Sequence, residues 1–91
     1  MGKLTEAKKL NDKKWKRRFG EKMRVIMKTK KITQTELGRK TKIAQPQISA
    51  YVNGYYLPDV RNAIKIALAL EIDFMDLFGF MESEAYPSYL A

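Results

Sequence analysis

The chain has no cysteine and no histidine. The first absence excludes disulfides and a thiol nucleophile. The two together mean that a zinc site would have to be built from carboxylates alone. A cysteine-free chain is compatible with a reducing compartment, and the cytoplasm is the expected location. No apolar run approaches the roughly 20 residues of a membrane span. The first residues are basic but lack the apolar block of a secretory signal. Glu6 stands where a myristoylation signal after Gly2 requires Ser or Thr. Glycine and proline are sparse, 5 and 3 in 91 residues, and no Gly-rich loop is present to cradle a phosphate. Repeats and low-complexity segments are absent as well. An enzyme is therefore the least supported class, and no catalytic residue, metal or cofactor is expected.

What is present is charge of one sign in one place. A chain of 91 residues suits one domain with one modest core. Its net charge of +8 is unevenly spread. Residues 1–42 hold 16 basic and 4 acidic residues, a balance of +12, and residues 43–91 hold 2 and 6, a balance of −4. Such a bipolar chain fits a polyanion on one side and a different task on the other. The plainer alternative is a generic basic protein.

The stretch TQTELGRKTKIAQPQISAYVN, Thr33 to Asn53, reads as two short helices joined by a tight turn. Thr33 and Glu36 have the spacing of a capping box, in which the Thr hydroxyl takes a backbone N–H and the carboxylate reaches back. Leu37 anchors the first helix, with Thr41 one turn behind it. Gly38 allows a close approach to the backbone. Lys42-Ile43-Ala44 forms the turn, with Ile43 inward. The second helix starts near Gln45, and Pro46 is tolerated because N–H groups in a first turn have no intrahelical partner. Ile48, Tyr51 and Val52 share one side at helical spacing. Pro46, Ser49, Ala50 and Asn53 share the other, with Gln45 and Gln47 at its edges. Gly54 follows where a left-handed residue commonly ends a helix. The outer face is amide or small, and uncharged, whereas a merely solvated face usually carries Lys and Glu. An amide offers the donor and acceptor pair that a bidentate contact with adenine needs, and small side chains let a helix sit deep in a groove.

Residues 19–78, about two thirds of the chain, resemble the Cro/repressor-type helix-turn-helix family, the lambda repressor-like or XRE domain. The resemblance is carried by Gly20, Ile32, Thr33-Gln34, Glu36-Leu37-Gly38, Ile43, Gln45, Ile48, Tyr51, Asn53-Gly54, Ile66-Ala67, Leu70 and Leu77-Phe78. It implies an all-α, compact five-helix DNA-binding domain with a basic N-terminal extension and a short C-terminal tail. In relatives, a Gln at the position of Gln34 touches a phosphate and braces a Gln at the position of Gln45. The chain departs from the pattern at three places. Lys42 stands where Gly is usual and must accept an unfavourable backbone region. Met27 and Val52 replace an Arg and a Glu that pair in many members. Packed hydrophobes in place of a buried pair are often neutral or better, but an Arg that helps hold a phosphate is lost.

The expected organisation is a basic arm over 1–11, the helix-turn-helix domain over 12–79 and a tail over 80–91. The arm is either a DNA-wrapping segment or a solvated one. Asp12 is the expected cap of a helix from Lys13 to Lys30, with Trp15, Phe19, Met23, Ile26 and Met27 as its buried stripe. Gly20 inside that helix points to a close neighbour. Tyr55 and Tyr56 are either phosphate donors or residues that pack on the core edge or at a dimer contact, with one of each favoured. Asp59 caps a fourth helix whose apolar positions Val60, Ile64, Ala67, Leu68, Ala69 and Leu70 are too wide a set for a surface helix, so it is expected at the centre of the core. A last short helix covers 74–78. The tail carries Phe80, Met81, Tyr86, Tyr89 and Leu90, which either fold back on the core or pack against a second subunit.

The resulting expectation is a sequence-specific transcriptional regulator, a Cro-like repressor that binds a palindromic operator on double-stranded DNA as a homodimer. Base contacts fall to Gln45, Pro46, Gln47, Ser49 and Ala50. Phosphate contacts fall to Thr33, Gln34, Arg39, Asn53, Tyr55 and Tyr56. The resemblance implies a nucleoid-associated protein of a bacterial or phage-infected cell. The competing readings are an antitoxin or transcription adaptor that uses its C-terminal tail to hold a protein partner, and non-specific nucleic-acid packaging by the basic half.

Overall fold

Phe19, Met23 and Met27 recur every fourth residue, and in the computed structural model all three are buried on one stripe of the first helix. The structure describes the backbone of residues 2–78 and the side chains of residues 13–78. Among these it is all-helical: α1 (Gly2–Lys30), α2 (Gln34–Thr41), α3 (Gln45–Val52), α4 (Val60–Leu70) and a last turn and a half, α5, over 74–78. Helix α3 packs against α1 and α2, and α4 closes the other side of α2. The shared core holds Leu37, Ile48, Tyr51, Ile66, Leu70 and Leu77 with the α1 stripe. Each large apolar side chain buried there contributes roughly 1.5–3 kcal/mol against exposure. Phe19 stacks on Phe78 with ring centroids 5.1 Å apart, which pins α5 to α1.

Helix ends follow a common device. After α1, α3 and α4 the chain enters the left-handed region at Lys31, Gly54 and Glu71. The next N–H reaches back five residues: Ile32 to the Met27 carbonyl, Tyr55 to Ala50 and Ile72 to Ala67, at 2.9–3.0 Å. Only one of the three positions is glycine. Lys31 and Glu71 adopt φ 57° against the usual cost of a Cβ there.

Two expectations are corrected. Helix α1 runs from Gly2 without a break, so Asp12 lies inside it and does not cap a helix starting at Lys13. No glycine or proline occurs between Gly2 and Gly20 to stop it. The second correction concerns α4. Ala63, Ile66, Ala67 and Leu70 are its buried face, while Val60, Ile64 and Leu68 are 68, 46 and 72% exposed. The apolar arc is as wide as the sequence indicates, but the core of a small domain covers only one side of it. Asp59 does cap α4, accepting from the Asn62 N–H at 2.8 Å. The tail expectations fall outside the described residues.

Candidate nucleic-acid interface

The first motif helix begins on Thr33, whose hydroxyl accepts from the Glu36 N–H at 3.1 Å and donates to the Glu36 carboxylate at 3.1 Å. The expected cap is therefore present, with the carboxylate meeting the hydroxyl. At the far end the buried Thr41 hydroxyl donates to the Leu37 carbonyl at 2.7 Å and accepts from the Ile43 N–H at 3.2 Å. That side chain ties the turn to the end of α2. Lys42 takes φ 60°, ψ 25°, the left-handed conformation expected of the turn. Gly38 admits the turn: a Cβ there would lie 3.0 Å from the Ile43 carbonyl oxygen.

This turn directs α3 outward on one side only. Ile48, Tyr51 and Val52 are buried. Gln45, Pro46, Gln47 and Asn53 are exposed, and Ser49 and Ala50 are half-buried between them. The five expected base-contact residues thus share one accessible, uncharged surface. No side chain caps the α3 N-terminus, where Ala44 precedes Gln45 and Pro46. Ala44, Pro46, Gln47, Ala50 and Tyr56 line a shallow open cleft, so Tyr56 borders the outer face of α3.

Two hydrogen-bonded chains hold this face from behind. On one edge, Arg24 of α1 donates to the Asn53 amide oxygen at 2.7 Å, and the Asn53 amide nitrogen donates to Ser49 Oγ at 3.2 Å. Arg24 also lies 3.4 Å from the Val52 carbonyl oxygen, where a cation suits the negative end of a helix. On the other edge, Gln47 Nε2 donates to the Tyr51 hydroxyl at 2.9 Å, and Asn62 Nδ2 of α4 donates to the same oxygen at 3.0 Å. Sequence reasoning missed Arg24 and Asn62. Asn62 gives no sequence signal of this role. Arg24 gives a faint one, since it lies one turn before Met27, where relatives carry the arginine this chain lacks.

The expected phosphate set is less uniform. Arg39 is exposed and Gln34 half-buried on α2. No hydrogen bond joins Gln34 to Gln45 among the described residues. Thr33 is exposed, but its hydroxyl is engaged by Glu36. Tyr55 and Tyr56 are 66 and 62% exposed. Neither is packed into the core of its own chain. Lys40, Lys42 and Lys65 rim one cleft with Leu68 and Ala69 of α4, and Arg17, Arg18 and Lys22 line another along α1 with Glu21.

A capped helix, a left-handed turn and a second helix with an exposed uncharged face define a helix-turn-helix DNA-binding domain. The helix-turn-helix family model HTH_3 matches residues 23–77. The chain belongs to this family, the XRE or lambda repressor-like domains, and is a DNA-binding transcription regulator of that type. No curated protein matches the chain. The family is a DNA-binding fold, not typically an enzymatic one. No helix among the described residues is long and apolar enough to cross a membrane.

Proposed function

We propose that the protein is a sequence-specific repressor that binds a palindromic operator as a homodimer in the cytoplasm. The outer face of α3 enters the major groove. Gln45 and Gln47 meet base edges, and Pro46, Ser49 and Ala50 make close apolar or hydroxyl contacts, for instance to thymine methyls. Gln34, Arg39, Asn53, Tyr55, Tyr56 and the Thr33 end of α2 set the register on phosphates. Gln34 braces Gln45 in the bound state. The observation that carries this reading is that Gln45, Pro46, Gln47, Ser49 and Ala50 lie together on an accessible face with no charge, in a chain whose net charge is +8.

An eight-residue recognition helix offers few base contacts, so two copies on two half-sites supply the affinity. Val60, Ile64 and Leu68 form an apolar stripe at four-residue spacing on the solvent side of α4. A second copy of the chain is the occupant assigned to it, because a palindromic operator calls for a two-fold pair of recognition helices, one on each half-site about 34 Å apart.

Selection of bound duplexes from a random pool tests the function. A palindromic consensus protected on one face of the duplex is the expected result. Binding that follows salt concentration with no sequence preference would leave non-specific packaging as the role. Leu68→Lys tests the dimer: sedimentation should give a monomer with weakened operator binding. The same stripe also favours a second reading, an antitoxin or adaptor. In that case Leu68→Lys would leave mass and DNA affinity unchanged and abolish capture of a different protein.

A further inference from the structure

Tyr51 has 1% of its surface exposed, yet its hydroxyl is the meeting point of two amides. One belongs to Gln47, a turn earlier on α3 and on the outer edge. The other belongs to Asn62 in the first turn of α4. The Asn62 backbone is itself held, its N–H donating to the Asp59 side chain at 2.8 Å. A line of hydrogen bonds therefore runs from the capped start of α4, through a buried phenol, to a glutamine on the surface proposed to meet DNA.

We propose that Asn62 is a specificity-determining residue that touches no DNA: through the Tyr51 hydroxyl it positions the Gln47 amide for one base pair. The inference rests on the reading that Gln47 meets a base edge. A glutamine side chain on a helix surface has three free torsions, and a base contact must immobilise them. Here one amide N–H is anchored before DNA arrives, and the carbonyl oxygen and the second N–H remain for the base. The anchor is fixed because Asn62 approaches the same oxygen from another helix. Two donors on one hydroxyl take up both its lone pairs, so the phenol cannot turn toward one amide without losing the other.

The test compares duplexes that differ from the selected operator at one base pair. Gln47→Ala identifies the pair that Gln47 reads. Asn62→Ala and Tyr51→Phe should each lose about three- to tenfold of the discrimination at that same pair, with other positions unaffected. Neither loss should add to that of Gln47→Ala, because all three remove one contact. Asn62→Asp should keep the discrimination. Its carboxylate accepts the Tyr51 O–H and leaves the phenol oxygen to Gln47, while the added negative charge weakens all duplexes alike. Thermal unfolding of each variant is recorded alongside. If Tyr51→Phe does not fold, Asn62→Ala and Asn62→Asp decide. The proposal is overturned if Gln47→Ala relaxes one position while Asn62→Ala weakens every duplex by the same factor. If Gln47→Ala relaxes no position, the reading of Gln47 as a base contact fails, and the inference fails with it.

Discussion

The Arg24 guanidinium donates to the Asn53 amide oxygen at 2.7 Å, tying the first helix to the residue that closes the recognition helix. Many relatives pair an arginine at the position of Met27 with a glutamate at the position of Val52. This chain buries Met27 and Val52 together in the core and brings a guanidinium to the same junction from one turn earlier. Arg24→Ala should weaken operator binding several-fold and release Asn53, and with it Ser49. Loss of preference at the base pair nearest Ser49 in a competition assay is the expected mark.

The backbone at the α1–α3 contact has no room for a side chain. A Cβ on Gly20 would lie 2.4 Å from the Val52 carbonyl oxygen and 2.9 Å from that of Tyr51. Alanine is the better helix former by about 1 kcal/mol, but here the clash is with backbone that cannot rotate away. Gly20→Ala should therefore destabilise the domain by about 2–4 kcal/mol, read as a lower midpoint in urea.

Lys42 predicts the opposite sign. Its φ of 60° holds an L-residue in the left-handed region. That conformation costs a non-glycine residue roughly 1–2 kcal/mol, and glycine gives back part of the gain through its freer unfolded chain. Lys42→Gly should raise stability by about 0.5–1 kcal/mol in thermal unfolding. The removed charge should flatten the salt dependence of DNA binding if Lys42 holds a phosphate.

Thr41 is buried, and its hydroxyl both gives and takes a hydrogen bond. Thr41→Val keeps the shape but leaves the Ile43 N–H without its acceptor. The expected loss is about 1–3 kcal/mol, with an unchanged denaturant slope. Thr41→Ser retains the hydroxyl and should recover most of it.

Gln45→Ala should relax base preference at one position of each half-site, at about 1–3 kcal/mol. A uniform loss on every sequence, measured by quantitative binding to single-base variants, would remove Gln45 from the reading set.

Much of this was legible in the residues themselves. The four-residue spacing of Phe19, Met23 and Met27, the Thr33–Glu36 cap, the strained Lys42 and the two-sided character of Gln45–Val52 are local features. Helical geometry alone decides which side chains share a face, so sequence suffices for them. It also sufficed for Gly20, whose cost inside a helix implies a neighbour at close range, although not that the neighbour is a carbonyl of Val52.

What the sequence could not determine depends on where separate helices meet. Val60, Ile64 and Leu68 are as apolar as Ile66 and Leu70, and only the angle at which α4 lies on α2 leaves the first three in water. Asn62 and Arg24 are ordinary polar residues until α4 and α1 bring them to Tyr51 and Asn53, 11 and 29 positions away. A periodic pattern encodes the direction of a side chain about its own axis, whereas a hydrogen bond between helices needs the axes themselves in place, and packing sets those.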